Sequence, residues 1–222
     1  MRGESLTRIR RSALVVAAAA LASCDAPTMP SELPGYDPRL GGTDIYHWPL
    51  GHDIAVYVDP AAGGDAFAAP VQSGFAGWRD SLRYREVTMT LVGSPELADV
   101  IVHHINAPYL VEPGTCGSFG PGAAGRTFFC VALQGDTLEV LPLVSGASGR
   151  VKMNVTIDPS RTTTASPVAA IVAHELGHVL GIGTHSNGTT DLMFAAPTVL
   201  VPNASDAATL RWLLHQPPTI RP

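Results

Sequence analysis

Alternating β-branched and aromatic residues mark DIAVYVD (53–59), and four further stretches have strand-like runs of apolar residues: REVTMTLV (85–92), ADVIVHHI (98–105), TFFCVAL (127–133) and VKMNVTID (151–158). Rich in β-branched and aromatic residues, each predicts a strand. Three other stretches follow the helical period. In DAFAAPVQSGFAGWRDSLR (65–83) the apolar residues Phe67, Val71, Phe75 and Trp78 recur at helical intervals. PVAAIVAHELGHVL (167–180) opens on a proline, whose missing N–H costs little in a first turn, with Ser166 or the threonines before it as caps. SDAATLRWLLHQ (205–216) follows, with Ser205 as its expected N-cap. An opening of strand, helix, strand, strand predicts an α+β fold: a mixed, twisted sheet with helices on its face and a C-terminal helix closing the domain.

The first 23 residues stand outside this pattern. Arg2, Arg8, Arg10 and Arg11 precede an apolar run of about ten residues, ALVVAAAALA, the length of a signal-peptide core and too short to span a bilayer. Leu21-Ala22-Ser23-Cys24 is similar to the bacterial lipobox, in which the cysteine is lipidated and becomes the new N-terminus. Residues 1–23 therefore read as a lipoprotein signal peptide, with Cys24 as the lipid anchor in a bacterial cell envelope. An ordinary secretory signal is the alternative, and export holds under either. Residues 24–42, rich in proline and glycine, read as a flexible tether, and 43–222 as one domain.

Charge narrows the partners. Without residues 1–23, 10 basic side chains face 18 acidic ones, a balance of −8. Such a domain has no electrostatic basis for binding nucleic acid, which depends on neutralising phosphates. In an exported chain the remaining cysteines, Cys116 and Cys130, form a candidate disulfide, worth about 3 kcal/mol for so short a loop.

The candidate chemistry lies in HELGHVLGIGTHSNGTTDLM (174–193). His174 and His178, four residues apart on a helix, present two imidazoles on one face, the arrangement that binds zinc. Glu175 beside them can serve as general base toward a water that the metal acidifies. Gly181 can end the helix in a left-handed conformation and return the chain toward the metal, which makes His185 available as a third ligand.

HELGHVLGIGTH resembles the signature of the metzincin zinc metalloproteases, and within them of the matrixin-like, matrix-metalloproteinase type, HExxHxxGxxH. Thr184 falls where the usual third histidine stands, so the loop is one residue longer and His185 comes one place late. His185-Ser186 and the spacing to Met193, in DLMF, match the family again. The resemblance implies a metzincin-like zincin domain, Zn2+ on His174, His178 and His185, a Met-turn at Met193, and hydrolysis of peptide bonds in peptide or protein substrates by a monomeric endopeptidase. It further implies that TFFCVAL is the edge strand that holds substrate and that 194–197 wall a specificity pocket. Glu175 is the last glutamate of the chain, which excludes a downstream glutamate ligand, while Asp191 stays open as an alternative third ligand. Two other functions compete: an inactive lipid-anchored binding protein on the same scaffold, and a zinc hydrolase of small peptides. His103 and His104, adjacent in a strand, point to opposite faces and are not expected to share an ion; His47, His52 and His215 are expected at the surface.

Overall fold

The computed structural model describes residues 32–60, 66–105, 123–143, 151–164 and 166–221. The expected signal peptide, Cys24 and Cys116 lie outside them. Cys130 is disulfide-bonded.

The elements, in chain order, are β1 (His52–Val58), α1 (Ala68–Ser81), β2 (Val87–Leu91), β3 (Val100–His104), β4 (Gly125–Phe128), β5 (Cys130–Gln134), β6 (Thr137–Leu141), β7 (Met153–Ile157), α2 (Val168–Val179), α3 (Ala204–Leu214) and β8 (Ile220–Arg221). A five-stranded sheet has the order β2-β1-β3-β7-β4. Its first four strands are parallel and β4 runs antiparallel along β7, Gly125 facing Ile157 and Phe128 facing Asn154. The fold is thus α+β with a mixed sheet, as the sequence pattern predicts.

Strand parity divides the core. Ile54 and Val56, Val100 and Val102, and Met153, Val155 and Ile157 face the helices, where they meet Val71, Phe75 and Trp78 of α1 and Val172, Leu176 and Val179 of α2. On the other face Ile101 joins Ala98, Phe128, Cys130, Leu143 and Val151. Covered on both sides, β3 and β7 are buried along almost their whole length, as parallel inner strands require, although β7 alternates apolar residues with Asn154 and Thr156. α1 and α2 cross closely because the crossing residues are small: a Cβ on Gly74 would lie 3.0 Å from the Ala173 Cα. Trp78 spans the contact, its indole N–H donating to the Ala173 carbonyl at 2.8 Å.

Several expectations are corrected. TFFCVAL is not one strand: it breaks at Phe129, with β4 in the main sheet and β5 turning into a second, three-stranded sheet of order β5-β6-β8. β6 and β8 were not foreseen. β5 and β6 form a hairpin around Gly135-Asp136, with Gly135 at φ 62°, a left-handed conformation that glycine adopts without strain. The side chain that caps α3 belongs to Asn203, which accepts from the Ser205 and Asp206 N–H groups while Asp206 answers to the Asn203 N–H. Ser205 sits inside that capping box. α2 starts on Pro167 without a side-chain cap, and the Ser166 hydroxyl donates to the Pro197 carbonyl instead. His47 is buried, its two ring nitrogens spanning the Trp48 and Gln216 carbonyls. The tether ends earlier than its composition suggests: residues 35–40 are docked on α3 and on the loop after α2.

Candidate metal centre

α2 carries His174 and His178 one turn apart, and the loop beyond it must bring His185 back to them. Leu180 ends the helix and Gly181 turns the chain at φ 118°, with the Tyr46 carbonyl so close that no side chain fits there. The Ile182 N–H then closes onto the Gly177 carbonyl at 3.1 Å and the Trp48 indole caps the Val179 carbonyl at 2.9 Å. His185 returns so that one ring nitrogen of each histidine lies within 4.8 Å of the others. Among the described residues this is the one cluster able to hold a metal ion in this way.

The second nitrogen of two rings is already committed. His174 Nδ1 meets the Leu192 carbonyl at 2.8 Å and His178 Nδ1 meets the Ile182 carbonyl at 2.6 Å. Carbonyls only accept, so each Nδ1 carries the proton and each Nε2 presents a lone pair inward. The His178 and His185 Nε2 atoms stand 3.3 Å apart. Burial pushes the His174 ring far down, to about 3, with His178 and His185 adding to the effect. His178 and His185 are also lowered, chiefly by burial. Three neutral imidazoles, two with their Nε2 lone pairs turned inward and all three with a ring nitrogen within 4.8 Å of the others, fit a divalent cation of borderline softness.

Glu175 lies next to His174 but on the side of β4. Thr127 Oγ1 is 2.9 Å from the Glu175 carbonyl and 2.8 Å from its Oε2 and donates to both. Burial drives the carboxyl up to about 7, against the lowering effect of the Thr127 hydrogen bonds. Gly125 faces the other oxygen: a Cβ there would be 2.7 Å from Oε1, so its absence leaves that oxygen room. A cleft of about 290 Å³ runs from Gly125 and Glu175 past His178 and His185 to Leu40, Tyr46 and Phe129. Residues 194–197 do not line it.

Behind the histidines the chain is braced by a carboxylate that the sequence reading did not single out. Asp206, fully buried, accepts from the Leu192 N–H at 2.7 Å, the Met193 N–H at 3.3 Å, the Asn203 N–H at 3.1 Å and the Tyr36 hydroxyl at 2.9 Å. Met193 is buried against α2, where a Cβ on Gly177 would strike its sulfur and approach Trp78 Cζ2 to 2.7 Å. Asp191, the alternative ligand, faces elsewhere: it accepts from the Ser186 hydroxyl and, at 2.6 Å, from Asn203 Nδ2. His103 is buried on β3 with Nε2 3.3 Å from the Thr156 hydroxyl, and neither it nor His104 belongs to a metal-binding cluster among the described residues. The sequence signal for Asp206 was the Asn-x-x-Asp of a capping box, which announces a helix start and says nothing about its second role. For Thr127 the signal was parity alone, two residues before Phe129 in a strand flanking the helix.

No protein-family model matches this chain, and a search of curated proteins finds no match.

Proposed function

We propose that this chain is a zinc-dependent endopeptidase of metzincin-like, matrixin-like type, exported and anchored through Cys24. The observation that carries the reading is the convergence of the His174, His178 and His185 ring nitrogens beside a buried carboxyl. When bound there, a zinc ion supplies Lewis acidity: it acidifies a water and polarises a carbonyl oxygen.

The rest of the chemistry belongs to the chain. Glu175 takes the water's proton and passes it to the leaving amine, and a carboxyl near 7 is matched to both transfers at neutral pH. The Thr127 hydroxyl holds one carboxylate oxygen, which leaves the other, opposite Gly125, for the proton. The tautomers of His174 and His178 are fixed by the Leu192 and Ile182 carbonyls, so their orientation is set before metal arrives. Among the described residues β4 is the last strand of its sheet, and an extended peptide lying beside it along the cleft can add to it by main-chain hydrogen bonds. A cleft open to solvent, with His185 exposed at its mouth, supports a protein substrate over a small metabolite.

Metal analysis of the purified protein with a peptide-library digest tests the reading. One zinc per chain is expected, with chelator-sensitive cleavage that Glu175→Ala abolishes while zinc is retained. His185→Ala should lower zinc affinity at least tenfold, whereas Asp191→Asn should leave the stoichiometry at one. Cleavage that survives in Glu175→Ala, or full zinc affinity in His185→Ala, overturns it.

A further inference from the structure

The loop from Gly181 to His185 has one residue more than the resemblance calls for, and what holds it is not in the loop. The Gly183 N–H donates to the Pro38 carbonyl at 2.7 Å, and the Thr184 hydroxyl donates to the Asp37 carbonyl. Gly183 lies flat against the same segment: a Cβ there would be 2.8 Å from both the N and the Cα of Leu40. Two successive residues immediately before His185 are therefore hydrogen-bonded to a stretch of chain some 145 residues away.

That stretch is itself pinned at its far end. The Gly35 N–H donates to Thr209 Oγ1 at 3.0 Å and the Tyr36 hydroxyl to Asp206 at 2.9 Å. Burial and the Asp206 charge raise the Tyr36 phenol far above its ordinary value, so it stays a donor at every working pH. Three residues before Gly35, Glu32 accepts from Arg211 Nε at 2.9 Å, and the same guanidinium reaches the Ser81 carbonyl at 2.9 Å, tying this segment, α3 and α1 together.

We propose that residues 35–40 are a positioning strap for the third metal ligand. The carbonyls of Asp37 and Pro38 fix Gly183 and Thr184 and so hold the His185 ring at the distance that lets it share an ion with His174 and His178. A loop with two glycines in five residues samples many conformations when left to itself, and ordering it at the moment of binding would cost affinity. Preorganisation by the strap removes that cost. The strap contributes no ligand; it acts through His185. This inference rests on the zinc reading above.

Zinc affinity of the full chain, measured by competition with a chromophoric chelator, separates this role from a merely structural one when the melting temperature of the metal-free protein is recorded beside it. Gly183→Ala forces Leu40 off the loop from one end; Tyr36→Phe releases the strap from the other without touching the loop. Each should raise the zinc dissociation constant about tenfold, the range seen when a supporting partner of a ligand is lost. Combined, they should do little more than either alone, although independent distant sites ordinarily add. In a His185→Ala background Gly183→Ala should have no further effect. Melting temperatures that fall while zinc affinity holds would overturn the inference and make the strap a matter of stability alone. So would a Gly183→Ala effect that is undiminished in the absence of His185. Wild-type protein that takes up no zinc would instead remove the metal reading itself, and the strap's role with it.

Discussion

Glu175 gives the most direct quantitative test, because the same burial that suits it for proton transfer should weaken the fold. Its carboxyl is 4% exposed and is pushed from 4.5 up to about 7, chiefly by burial. In the unfolded chain the group loses its proton near 4.5, whereas in the folded protein it keeps the proton to about 7. Between those values the folded state holds more proton at this group, so the Glu175 contribution to stability falls as pH rises through this window and is flat above it, the reverse of a salt-bridged carboxylate. At about 1.4 kcal/mol for each pH unit, the cost above pH 7 is roughly 3 kcal/mol. Glu175→Gln keeps an acceptor for the Thr127 hydroxyl and removes the titration. With chelator present, the variant and the wild type should melt alike near pH 4.5, diverge across the window, and differ by roughly 6–12 °C at pH 8, with the variant higher, for a chain of this size. Thermal melts at half-unit intervals from pH 4.5 to 8.5 make the comparison. A difference that does not change with pH, or a wild type that is the more stable at pH 8, would refute the assignment of a buried, proton-holding carboxyl.

Two further substitutions probe the frame around the histidines. Gly177→Ala ought to stabilise a helix interior by up to about 1 kcal/mol on propensity alone. The position is packed against Met193 and Trp78, and the overpacking should win, so that the variant is less stable by about 1–3 kcal/mol in denaturant titration. Asp206→Ala leaves the Leu192 and Met193 N–H groups and the Tyr36 hydroxyl without their shared acceptor, and should cost about 3–5 kcal/mol. A loss below about 1 kcal/mol would show that water replaces the carboxylate.

What the sequence made legible was what local pattern governs. Periodicity located the three helices and the four parallel strands of the main sheet, because burying an apolar face enforces a period on the residues that form it. His174, Glu175 and His178 were legible for the same reason, four-residue spacing on a helix. The positions that escaped are set by long-range partners. Thr127 meets Glu175 across 48 residues, and Tyr36 reaches Asp206 across 170. No window of neighbouring residues contains such a pair. The stretch 35–40 has the composition of a linker and still docks, since apart from the Tyr36 hydroxyl its contacts use main-chain groups that composition does not reveal. β6 was missed although Gly135-Asp136 signalled a hairpin, and His47 was placed at the surface because nothing beside it announces the two carbonyls its ring bridges.

The two indoles that grip α2 have an optical consequence. Trp48 and Trp78 are almost completely shielded, each with its N–H fixed to a carbonyl of α2, and Trp78 packs around Gly177 with the Met193 thioether. Their emission should be blue and sharply defined, and sensitive to any shift of that helix by a fraction of an ångström. Loading of the proposed zinc can then be followed in the unlabelled protein by fluorescence, in real time, with the polypeptide acting as its own reporter.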